Sequence, residues 1–505
     1  MNIASDELVI AGWILISLYA ASILVFVVRG AIKTKSMKDY AVGNIAFSPA
    51  AVGLALAASM TSAATFIINP GIIAFYGISG VISYAFVLPV AAMVSLVVLT
   101  KGFRKHGSTV KALSMAQWMG TRYNSKGYSL FFAFLSLLLI TFIVLIAVGL
   151  TKVLSKTLNV GELLMLIGIV VFIFGYMMFG GANSMVYTNT IQAILMLVVA
   201  FILLGSGYEH FSSGVHGFLD ELAAIDPKLV STTNDSSFLF RDYFEIFFAQ
   251  IVVGVAIVCQ PHIITKSLLL KTDSDVNKYL VFGVITEFIF FLVVIAGLYA
   301  RLVFPGLTVD GKALALDGII SAYVVKEFPV YVGLLVVLGL ISAGISTLEG
   351  LIQALATTIS ADIAKPLFGN KYPGDNLKRE KFEIGLNRVV IAILGIVTIL
   401  ISYDQLVNPK LSVAIFAQNG VYAYFSAAFV PILFGMFLKG VDKVVAIGAS
   451  VTAVIVHFSY YYGKLPVPFT ASTGENPGVA AAMAIVASLI VGYVLYRFTW
   501  RTESV

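Results

Sequence analysis

Thirteen apolar stretches, each long enough to cross a bilayer, leave this chain few ways to fold. A helix spans the hydrocarbon core in ~20 residues. The runs lie near 8–28, 48–74, 80–100, 129–151, 162–181, 187–206, 244–268, 279–302, 330–362, 385–403, 411–438, 441–463 and 479–498. In lipid every backbone amide needs a partner within the protein, so runs of this length become helices. Composition agrees: 59% of the 505 residues are hydrophobic and 11% are charged, against ~25% charged in soluble domains. The expected class is an all-α polytopic membrane protein with about thirteen transmembrane helices, here numbered spans 1 to 13. Its net charge of +6 belongs to loops beside a lipid bilayer and is no nucleic-acid signal. A single cysteine, Cys259, excludes an internal disulfide. Asp6 and Glu7 precede the first run and no basic stretch does, so that run is expected to stay as a helix rather than be cleaved as a leader.

Basic loops orient the chain. The connections after spans 1, 3, 7, 9, 11 and 13 hold 23 of the 32 Lys and Arg, Arg104 and Lys266 among them, and the remaining chain holds 9. The expectation is a multi-pass protein of the cell (inner or plasma) membrane, N-terminus outside and C-terminus in the cytoplasm. The long outer connection 207–243 is acidic and reads as a partly helical cap. An inner stretch, 108–123, reads as a short surface helix. Both are expected to be solvated. No stretch outside the spans is long enough for an enzyme domain. No nucleotide-binding loop or HExxH motif occurs, so no catalytic residue is assigned.

Polar residues inside the spans mark the sites. Span 9 carries Ser342, Ser346, Thr347 and Glu349 within Gly339–Ala356. Ala343, Ser346 and Thr347, at i, i+3 and i+4, share one helix face. Hard oxygen ligands without bulk suit a small hard cation, although small and hydroxylic residues also line tight helix contacts. A carboxylate such as Glu349 costs several kcal/mol in lipid unless paired. Glu287 in span 8 lies within about three turns of the inner end and is expected to reach inner water. Spans 2 and 7 are interrupted, at Pro70-Gly71 and at Gln260-Pro261-His262. Proline removes a backbone donor and kinks a helix. Paired interruptions in corresponding positions point to a transporter site between two repeats.

These residues carry a resemblance over nearly the whole chain. Its marks are Ala58-Ser59-Met60-Thr61-Ser62 with Pro70-Gly71, Gly180-Gly181 with Tyr187-Thr188-Asn189-Thr190-Ile191-Gln192, Gln260-Pro261-His262, and Ala343-Gly344-Ile345-Ser346-Thr347. The chain resembles the sodium:solute symporter family, with bacterial proline, pantothenate, acetate, sialic acid and sugar symporters among its members. The resemblance implies the ten-helix inverted-repeat (5+5) core typified by the bacterial leucine transporter. It divides the chain into an extra N-terminal helix and inner loop (1–46), a first repeat (47–206), an outer loop (207–243), a second repeat (244–438), and two C-terminal helices with a tail (439–505). Carried over by position, Na⁺ is the coupling ion. It would be held by the carbonyls of Ala58, Thr61 and Ala343 and the hydroxyls of Ser346 and Thr347, with Thr61 contributing only its carbonyl. Many members carry Asp where this chain has Asn189, and a small hydroxylic residue where it has Glu349. One acid is missing on span 6 and one has appeared on span 9, at positions expected to face each other. Glu349 and Asn189 are therefore the candidates for a second cation or proton site.

The resemblance places the solute beside the sodium site, against Ser62, Ala63, Thr65, Gln250, Cys259, Gln260, Gln418 and Asn419. Gln418 and Asn419 also suit an interhelical hydrogen bond. Proline symporters carry Asp at the position of Met60, and Trp and Tyr where this chain has Val253 and Ile257, which argues against proline. Residues 224–230 resemble a segment of pantothenate symporters. The expected solute is a small organic acid, either a monocarboxylate or pantothenate-like. No basic residue is expected inside the spans to pair it, so helix ends and Na⁺ would supply the charge. The alternatives are a proton-coupled symporter using Glu349 and a non-transporting, transporter-like sensor. A channel would favour repeated pore-lining signatures, which the sequence lacks.

Overall fold

The computed structural model describes residues 6–270, 272, 274–309, 311–369, 373, 375–408 and 413–503. They are almost entirely helical, apart from a two-stranded ribbon pairing Thr308 with Ala313 and Val309 with Lys312. Among these residues ten helices are long and apolar enough to cross a membrane. Two further spans are bent pairs: Pro49–Met60 with Ala64–Tyr76, at 57°, and Phe244–Ile257 with Pro261–Leu269, at 55°. The 16-residue helix Glu162–Met177 takes the place of span 5.

Both bends have local causes. Thr61 leaves the helix with extended backbone (φ −95, ψ 103). A π-helical stretch, Ala64–Ile68, then leads into a helix with Pro70 in its first turn, where a missing N–H costs nothing, so the interruption expected at Pro70-Gly71 falls instead at residues 61–63. In span 7, Gln260 is extended (φ −69, ψ 138) ahead of Pro261, as clash with a proline ring demands of the preceding residue.

Burial sorts the spans. In span 9 (Val330–Phe368) 78% of the most apolar window is buried, and in span 11 (Val413–Phe437) 83%, against 17% for span 1 and 33% for span 10. Helices apolar on every face suit burial in a bundle. Spans 9 and 11 form its centre, and exposed residues such as Leu18, Ile393 and Leu400 give it an apolar outer surface.

Three expectations change here. The 108–123 stretch is not a solvated surface helix. Its helix begins at Met115, and Trp118 is fully buried, stacked on Phe103 with ring centroids 5.1 Å apart. The indole N–H donates to the Phe103 carbonyl at 3.2 Å. Arg104 and Lys266 are not loop charges but are 5% and 2% exposed. Without them the basic residues stand at 21 against 9. The 207–243 connection does hold a helix, Gly214–Ile225, yet its Phe218 and Leu222 are buried rather than solvated.

Glycine is required where the broken span meets its neighbours. A Cβ on Gly71 would fall on the Leu316 carbonyl, and one on Gly297 on the Pro70 carbonyl. Both obstacles are backbone, so no rotamer relieves them. Gly71→Val is expected to cost ~1–3 kcal/mol or more through overpacking and to lower the melting temperature and monodisperse yield in detergent. Parent-like yield and melting would contradict this close packing.

Candidate cation and solute sites

The break in span 2 frees oxygen ligands. The last four carbonyls of a helix have no intrahelical partner, and the helix Pro49–Met60 is capped by Thr61. The small-residue face of span 9 packs against that end. Ser346 Oγ lies 2.6 Å from the Ala58 carbonyl oxygen and 3.1 Å from that of Ala343. Thr347 Oγ1 lies 3.2 Å from the Ala343 oxygen and 3.4 Å from that of Thr61. Five oxygens thus form a continuous cluster, and all five residues are fully buried. All are neutral and hard, the donor chemistry of a small hard cation. The structure brings these five residues together.

Thr61 does more than expected. Its hydroxyl donates to Glu287 Oε2 at 2.8 Å. Glu287 is fully buried rather than wetted, and its Oε1 has no hydrogen-bond partner among the described residues. A buried acid one residue from the cation cluster is a feature the sequence reading missed, because counting turns from the helix end says nothing about lateral cover.

Glu349 lies on the same helix, two residues past Thr347, and is fully buried. It accepts from Tyr176 Oη at 2.5 Å and from Thr188 Oγ1 at 2.7 Å. Asn189 faces it. The amide is satisfied with Nδ2 toward Glu349 Oε2 (2.6 Å) and Gln192 Oε1 (2.9 Å), and Oδ1 toward Ser59 Oγ (2.9 Å) and Lys266 Nζ (3.3 Å). The expectation of no basic residue in the spans is therefore overturned. Lys266 follows Pro261 in the lower half of the broken span 7, where a tight helical turn, Thr265–Leu269, carries it inward.

A cavity of about 100 Å³ adjoins the cation cluster. Ser62, Thr65, Gln260 and Gln418 line it. The other four expected solute contacts lie elsewhere. Ala63 and Cys259 stand at the two helix breaks, each beside a lining residue but outside the lining itself, and Asn419 follows Gln418 on span 11 without joining it. Asn419 instead bonds His457 Nε2 (3.0 Å) and the Tyr462 hydroxyl (3.3 Å), an interhelical contact. Gln250 is a third helix turn away and approaches Gly478 on span 13. The cavity adds Asn69, Tyr84, Phe142, His262 and Tyr422. Only His262 had a sequence signal, as the third member of the Gln-Pro-His triplet. Gln260 Oε1 and His262 Nδ1 are buried with no partner among the described residues, so the wall presents polar atoms with bonding capacity to spare.

Comparison with known proteins agrees with this architecture. The chain is 27% identical over 450 residues to a sodium/pantothenate symporter of Haemophilus influenzae, covering 88% of this chain and 87% of that one. It is 23% identical over 469 residues to a monocarboxylic acid transporter of Corynebacterium glutamicum, covering 87% and 82%. These relatives are transporters and not enzymes. The fold matches the solved structure of a Na⁺-coupled sialic acid symporter in a substrate-bound, outward-open state. The TM-score is 0.78 at 16% identity, over 96% of this chain and 98% of that one. A model of the sodium:solute symporter family matches residues 40–455, and the chain belongs to that family.

Proposed function

We propose that this protein imports a small organic acid together with Na⁺ by alternating access, with Na⁺ held by Ala58, Thr61, Ala343, Ser346 and Thr347. Family membership supports sodium-coupled symport. The observation that carries the finer reading is the five-oxygen cluster at the helix break, directly beside a small, largely apolar cavity with a few neutral polar anchors. The five ligands are neutral, so a bound Na⁺ keeps its full charge. In a water-poor site that charge favours an anion nearby far more than it would in water. The cavity wall has no Lys or Arg, so the ion and neutral donors, Ser62, Thr65, Asn69, Gln260 and Gln418, would share the carboxylate. Pantothenate and monocarboxylic acids, the solutes in the relatives' names, both carry one. About 100 Å³ is small beside the ~300–1,000 Å³ of drug-sized pockets, which favours a short monocarboxylate.

Competition for uptake into proteoliposomes under an inward Na⁺ gradient tests the solute class. Short monocarboxylates are expected to compete, and their amides and alcohols to fail. Equal competition by a neutral analogue would remove the carboxylate from the reading.

We place the N-terminus outside and the C-terminus in the cytoplasm, on the 21-to-9 distribution of basic residues. In a Cys259→Ser background, Asp375→Cys is expected to resist an impermeant thiol reagent applied to whole cells and to react after permeabilisation. Labelling from outside would reverse the orientation.

A further inference from the structure

We propose that Lys266 is a built-in counter-cation for Glu349, with Asn189 as the bridge, so that the acid binds no second Na⁺ and one Na⁺ moves per cycle. This rests on the sodium-coupled reading above and concerns a different cluster, joined to the first through Ser59. Glu349 has no access to water, and both its oxygens are engaged: one by Tyr176, the other by Thr188 and Asn189. Lys266 is also buried, and its ammonium meets the oxygen of the same Asn189 amide. One negative and one positive charge are thus held in the bundle with a single amide between them. A buried acid in a membrane needs a compensating charge, and this one is supplied covalently by span 7.

A second Na⁺ entering beside Glu349 would have to displace hydroxyl and amide donors from a saturated carboxylate. It would also meet an ammonium one amide away, and like charges in a dry site repel strongly. The cluster further joins separate elements around the site. Lys266 lies on the half of span 7 whose Gln260 and His262 line the cavity. Ser59, at the break in span 2, lies 3.3 Å from the Ser346 carbonyl and 2.9 Å from Asn189 Oδ1. The charge pair is therefore linked to the sodium cluster through Asn189 and Ser59, to the cavity wall through the place of Lys266 on span 7, and to span 6 through Thr188 and Asn189.

Equilibrium ²²Na⁺ binding to the purified full-length protein, paired with the Na⁺ dependence of solute uptake in proteoliposomes, tests this. The parent is expected to bind one Na⁺ per chain with a hyperbolic dependence. Lys266→Arg keeps the charge and should remain at one. Lys266→Met leaves the acid without its partner and should acquire a second Na⁺ with sigmoidal uptake. The double variant Lys266→Met/Glu349→Gln, neutral at both positions, should return to one. Two Na⁺ per parent chain, the second lost in Glu349→Gln, would overturn the proposal even if Lys266→Met failed to fold. So would a folded Lys266→Met that stays at one. A parent that binds no Na⁺ would instead overturn the sodium cluster itself.

Discussion

Replacing Ser346 and Thr347 together by alanine is expected to raise the Na⁺ concentration for half-maximal uptake at least tenfold, about 1.4 kcal/mol of lost ion binding. The two hydroxyls are the links of the oxygen cluster: Ser346 joins Ala58 to Ala343, and Thr347 joins Ala343 to Thr61. Removing both leaves three carbonyls with gaps between them. Shape changes little, because both residues are small and the backbone of span 9 is held by its own helix. The solute concentration for half-maximal uptake at saturating Na⁺ should move much less than the Na⁺ value. Unchanged Na⁺ dependence in a well-folded double variant would remove Ser346 and Thr347 from the ion site.

The second large effect is expected on stability, at Glu349. Glu349→Leu takes the acceptor away from Tyr176, Thr188 and Asn189, and leaves Lys266 as an uncompensated buried charge. Removing one partner of a buried pair costs ~3–5 kcal/mol. Glu349→Gln keeps an acceptor oxygen of the same shape and should recover part of the loss. Unfolding midpoints in detergent are therefore expected in the order parent, Glu349→Gln, Glu349→Leu. Equal midpoints for the parent and Glu349→Leu would mean that the acid is not held as a charged acceptor.

Much of this molecule was legible because a bilayer permits so few folds. Span lengths follow from bilayer thickness, and the break in span 7 from Pro261, whereas the break in span 2 falls at residues 61–63, ahead of Pro70. Ser346 and Thr347 were legible because i, i+3, i+4 spacing fixes a shared face. Lys266 was not. In sequence it follows a proline and precedes Lys271 and Lys278, which is the pattern of an inner loop. Only the tight turn after Pro261 folds it back into the bundle. Glu287 failed for a related reason: distance from a helix end does not report the helix packed against it. The cavity wall was half legible. Spans 4 and 11 are apolar on nearly every face, so no periodicity marks Phe142 or Tyr422 as cavity residues. Of the adjacent polar pair Gln418-Asn419, only Gln418 lines the cavity, because Asn419 is taken up by His457 and Tyr462.

The most direct test of the account is the ion that drives accumulation. Purified protein in proteoliposomes, supplied with a short monocarboxylate, is expected to accumulate it above equilibrium under an inward Na⁺ gradient at equal pH on both sides. The same vesicles should show no accumulation when K⁺ replaces Na⁺ and an inward proton gradient is imposed. Accumulation driven by protons with Na⁺ absent, and indifferent to a Na⁺ gradient, would contradict the account.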